Sequence, residues 1–107
     1  MDIVQVNSAG KAIIEALNRH AYGHRNTEAL REITKLADDA LYASEYNGYI
    51  SERAGSIKHY ACVLYSERKH AAFAGDDQTG AERVHHFILS DARILANWMP
   101  FSASPKE

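Results

Sequence analysis

The sequence predicts an all-α fold: an antiparallel four-helix bundle with a long third helix. Three observations carry this. The 107 residues include only two prolines and six glycines, and alanine is abundant, a balance that favours helix over sheet. Apolar residues recur at steps of three and four through four separate stretches. Short, punctuated connections join stretches of similar length, which sets neighbouring helices antiparallel. A chain of this length supports one core, so 1–107 reads as a single helical domain.

The first helix is expected from about Ser8 to Tyr22, capped by Asn7 or Ser8 and stopped by Gly23. Ala9, Ile13, Ala16, Leu17 and Ala21 form its apolar stripe. Ahead of it, residues 1–6 read as an N-terminal arm, with "IVQV" (3–6) extended. The second helix runs from about Thr27 to Tyr46, with Asn26 or Thr27 as cap. Leu30, Ile33, Ala37, Ala40 and Leu41 share one face; Glu28, Glu32, Lys35, Asp38 and Asp39 occupy the other. "YNGY" (46–49) is a turn through Asn47-Gly48.

The third helix is the most regular. Ile50, Ala54, Ile57, Ala61, Leu64 and Ala71 follow one seam, with Arg68 in its single polar slot. At about 25 residues it would be roughly 38 Å long, longer than its neighbours. "AGDDQTG" (74–80) breaks it. The fourth helix runs from Ala81 to about Trp98, with Val84, Ile88, Ala92 and Leu95 inward, and Pro100 stops it. "TGAE" (79–82) is a capping box, with Thr79 as cap. Residues 102–107, "SASPKE", read as a disordered tail.

Net charge is −2, which counts against a dedicated nucleic-acid binder. The single cysteine, Cys62, cannot form an internal disulfide, as expected of a cytoplasmic protein. The N-terminus lacks the basic and apolar regions of a signal peptide, and no apolar run approaches the roughly 20 residues that span a bilayer.

Two E-x-x-H pairs, Glu67/His70 and Glu82/His85, flank the last connection. This spacing puts both groups on one helix face and serves bundles that hold two metal ions, so a divalent metal ion is an alternative, with Glu15 as a further carboxylate. Rotation at about 100° per residue argues against it: Glu67 falls about 90°, and His70 about 150°, from the third helix's seam. The capping box accounts for Glu82. No cofactor is therefore expected.

"RHAYGH" (19–24) is an R-x4-H with a polar residue after the arginine. It resembles the short motif of HEPN-family ribonucleases, which are all-helical and usually dimeric. The resemblance implies metal-independent RNA cleavage by Arg19 and His24 of two chains, with His20 as the adjacent polar position. The chemistry fits: histidine titrates near neutrality, and arginine stabilises a phosphate transition state. The plainer reading is a helix C-terminus, where Arg and His favour the negative end of the dipole.

Tyr42, Tyr46 and Tyr49 crowd one connection, and Trp98 and Phe101 mark the C-terminal end of the last helix. Aromatic residues of this kind are enriched at interfaces, so these five are the candidate interface. Cys62, with His59 three residues before it, has no third group to complete a catalytic set. Arg19, Arg25, Arg31 and Lys35 make a modest basic cluster interleaved with acids, which reads as solvated surface. The expectation is a small non-enzymatic interaction or regulatory module that works through protein–protein contacts as a homodimer.

Overall fold

In the computed structural model, residues 1–20, 25–65 and 77–99 are described, the side chains of 77–79 excepted. All regular structure among them is helical: α1 (Ile3–Arg19), α2 (Thr27–Ala43), α3 (Gly48–Tyr65) and α4 (Asp77–Ala96). α1 packs against α2 and α4, and α3 packs against the same two, so the four helices close a ring. α1 ends at Arg19, with His20 extended at φ −98°, ahead of the expected end at Tyr22. The predicted extension of the third helix through Ala71 and the 102–107 tail lie outside the described residues. Within them α3 has 18 residues and α4 has 20.

The helix starts and stops show which local signals prevailed. α1 begins at Ile3, so residues 3–6 are not an extended arm. Asp2 is the cap, its carboxylate accepting from the Gln5 amide at 3.1 Å. Helical phasing then places Val6 in the core with no exposed surface. Asn7 lies inside α1 and caps a different helix. Its Nδ2 donates to the Leu95 carbonyl (2.9 Å) and the Trp98 carbonyl (3.2 Å) at the end of α4. The Leu95 carbonyl also accepts the Trp98 amide at 3.3 Å, which tightens the last turn.

α2 starts as expected, with the Asn26 side chain accepting from the Ala29 amide at 3.0 Å. It ends at Ala43 rather than Tyr46. The Glu45 amide bonds the Tyr42 carbonyl at 3.0 Å and the Tyr46 amide bonds the Leu41 carbonyl at 3.1 Å, which together make a Schellman stop. That stop needs a left-handed residue just past the cap, and Glu45 supplies it at φ 57°, followed by Tyr46 at 62°. The turn therefore comes before Asn47-Gly48. Asn47 instead caps α3, accepting from the amides of Tyr49 (3.0 Å) and Ile50 (3.2 Å).

α4 begins at Asp77, inside the segment expected to break the chain, so Thr79 sits in its first turn and is not its cap. α4 ends at Ala96, two residues short of Trp98.

The core holds the expected seams. Ile13, Leu17, Ile33, Ile50, Ile57, Leu64, Ile88 and Leu95 are at most 2% exposed. Each such side chain contributes about 1.5–3 kcal/mol by leaving water. Among the described residues, ten of the 21 buried apolar ones are alanines, so the helices approach closely. The tightest contact is at Gly10. A Cβ there would meet the Ala96 amide nitrogen, and would lie 2.8 Å from both the Ala92 carbonyl oxygen and Ala96 Cα.

These contacts give two opposite expectations for the same substitution. Gly10→Ala should destabilise by about 1–3 kcal/mol, because the clashing atoms are backbone and cannot swing aside. Gly55→Ala, with nothing within 4 Å of the new methyl, should stabilise by about 0.5–1 kcal/mol. Urea midpoints at unchanged slope check both. Glu45→Gly should raise the midpoint as well, by about 1 kcal/mol, because glycine takes the left-handed conformation without strain.

Candidate functional site

The α2–α3 connection presents three tyrosines to solvent. Tyr42 is 59% exposed, Tyr46 64% and Tyr49 46%. The rings of Tyr42 and Tyr46 meet edge to face, with centroids 5.7 Å apart and planes at 68°. The Schellman stop sets this geometry by folding Tyr46 back beside the last turn of α2. Asn47 then launches α3, so Tyr49 emerges one turn from Arg53. The Arg53 guanidinium lies 5.1 Å from the Tyr49 ring centroid, a cation–π contact.

Arg53 also anchors this end to α4. Its Nη1 donates to Oδ1 of Asp91 at 3.0 Å, and Nη2 lies 3.4 Å from Glu52. Asp91 is a buried carboxylate, which requires such a partner. The Asp91 bond holds the guanidinium pKa above its ordinary value, so Arg53 is charged throughout the accessible range. Its buried Nε has no hydrogen-bond partner among the described residues. The Asp2 amide bonds the Ala43 carbonyl at 2.8 Å, so α1 begins at the same end. Trp98 is there too: it packs half-buried against the core, while Asn7 holds its carbonyl. Phe101 lies outside the described residues.

At the opposite end, Arg19 and His20 converge on Glu32, which sequence reading placed among surface acids. Arg19 Nη1 lies 3.0 and 3.2 Å from the two Glu32 oxygens, and His20 Nε2 lies 2.8 Å from Oε1. The His20 hydrogen bond pulls the Glu32 carboxyl below its ordinary 4.5; partial burial opposes this and Arg19 adds to it. The motif's arginine is thus engaged by a carboxylate of α2, and His24 lies outside the described residues. No sequence spacing announced Glu32, because the contact joins two helices.

The paired E-x-x-H is half outside the description, since Glu67 and His70 fall there. Glu82 is exposed and His85 half-buried on α4; Glu15 is exposed on α1, away from the core. Among the described residues no three His, Cys, Asp or Glu side chains gather in a group able to hold a metal ion. Cys62 is half-buried with a free thiol, and the His59 ring packs on Tyr60 at 5.1 Å. None of the described helices is long and apolar enough to cross a membrane.

Comparison with family models, with curated proteins and with solved structures finds no match to this chain.

The Glu32 contacts carry a pH signature. A carboxyl with a lowered folded pKa stabilises the fold above its unfolded value, and that stabilisation is lost as pH falls through the folded value. Thermal midpoints of the native chain and of Glu32→Gln should therefore differ most above pH 4.5 and converge below it. A gap unchanged between pH 6 and pH 3 would show that the ionised carboxylate contributes nothing (roughly this window follows from the linkage relation).

Proposed function

We propose that this chain is a small non-enzymatic interaction module that acts through protein–protein contacts and self-associates, the homodimer first. Its end with Tyr42, Tyr46 and Tyr49 is the contact surface. One observation carries the reading: three tyrosines within eight residues are exposed on a turn held by caps at both sides. Tyrosine gives large contact area with few rotors to freeze, so a clustered, exposed set fits binding better than solvation.

The scaffold reading is an antiparallel four-helix bundle forming one domain. Supporting it, the start of α1 bonds the end of α2, the start of α2 bonds the end of α3 through Asn26 and Tyr65, and Arg53 early in α3 meets Asp91 late in α4. Such a scaffold holds the tyrosine turn rigid, which lowers the ordering cost of association. The lone thiol of Cys62 favours a reducing, cytoplasmic setting.

Native mass spectrometry over a range of protein concentrations tests the reading. The native chain should show a dimer, and Tyr42→Ser/Tyr46→Ser should be monomeric with an unchanged helical circular-dichroism spectrum. A native chain that stays monomeric, or a variant that associates as the native chain does, would refute it.

A further inference from the structure

We infer that self-association is head to tail: the tyrosine turn of one copy seats on the outer groove of α2 in the next. The inference rests on the self-association proposed above and names the second half of the contact.

The groove is shallow, of about 400 Å³, and is lined by Thr27, Leu30, Arg31, Thr34, Lys35 and Asp38. Its floor is apolar through the half-buried Leu30, and its threonines offer hydroxyls to a phenol. Its charge is basic in effect. Asp38 is taken by Lys58 of α3 at 2.8 Å. Arg31 is exposed and makes no ion pair with another described residue. Lys35 is 75% exposed and pairs with Asp39 only as an i,i+4 surface contact at 3.1 Å, which exchanges at little cost.

The tyrosine turn has the opposite character. Glu45 and Glu52 flank the rings, with side chains 77% and 73% exposed; Glu45 pairs with the N-terminal ammonium at 3.1 Å and Glu52 with Arg53 at 3.4 Å, surface contacts that exchange at little cost. Its own cation, Arg53, is tied to Asp91. Seating the turn on the α2 groove sets Glu45 and Glu52 against Arg31 and Lys35, and tyrosine faces against the exposed Arg31 guanidinium. The molecule already makes that last contact once, Arg53 over Tyr49.

A symmetric contact of turn against turn is disfavoured by the same charges, since it would oppose Glu45 and Glu52 to their own copies. A head-to-tail contact leaves one turn and one groove free in every dimer, so it grows with concentration unless rotation closes a ring.

Complementation between two variants tests this directly. Tyr42→Ser/Tyr46→Ser lacks the turn, and Arg31→Glu/Lys35→Glu lacks the groove; circular dichroism checks that both fold. Each alone should associate at least tenfold more weakly than the native chain. Mixed one to one, they should form a heterodimer of their summed masses, and nothing larger, because one intact turn meets one intact groove. The native chain should instead pass beyond the dimer as concentration rises.

If the groove variant associates like the native chain while the tyrosine variant does not, the contact is turn to turn or takes another surface. The head-to-tail inference then falls and the interaction reading stands. A mixture that stays monomeric beside an associating native chain also overturns the inference alone. A native chain that is monomeric throughout removes both.

Discussion

The architecture depends on the approach of α1 to α4 at Gly10. A bare α-carbon there lets the Ala92–Ala96 backbone lie directly on α1. Ala9 and Ala16 on α1 and Ala81, Ala92 and Ala96 on α4 are buried as well. Small side chains gain little from leaving water individually. They gain by letting backbones and larger neighbours pack at short range, where many weak dispersion contacts add up. The same closeness lets Asn7, one turn before Gly10, reach the carbonyls that end α4. Without that approach the end of α4 would lose the two bonds that Asn7 donates.

The rest of that end follows from how each chain segment stops. α2 terminates in a left-handed residue that is not glycine, at a cost of about 1–2 kcal/mol, offset by the buried Ser44 and the two amide bonds of the stop. Gly48, two residues after the left-handed pair, lies inside α3 with open space around it. The turn thus carries side chains where a glycine would be easier, and one of them is the exposed Tyr46. Beneath it, the Arg53–Asp91 pair locks α3 to α4, so the aromatic surface stands on fixed ground. The far end is held by charge instead, with Arg19 and His20 on Glu32.

Much of the fold was legible in the sequence. Ile13, Leu17, Ile33, Ile57, Ala61, Leu64, Val84, Ile88 and Leu95 were readable as core because burial of apolar area obeys the helical period. Asn26 was readable as a cap because capping involves only residues three apart. The tyrosine crowd at 42–49 was readable for the same reason of locality. Helix ends were less so. Asp2, Asn7 and Ser8 are all residue types that cap helices. Which one prevails depends on whether Val6 finds a core and where the neighbouring helix leaves its carbonyls.

By itself, then, the sequence determined helix content, four seams and the cluster of tyrosines, all consequences of short-range spacing. Tertiary structure alone decided that Asn7 serves α4, that Gly10 is a contact and not a weak point, that Arg19 meets Glu32, and that Arg53 neutralises Asp91. It also decided that the tyrosines face water and not the core. Each of these joins residues distant in the chain, and their energies exist only once the helices have docked. No pattern along a single helix encodes the neighbour that will lie against it.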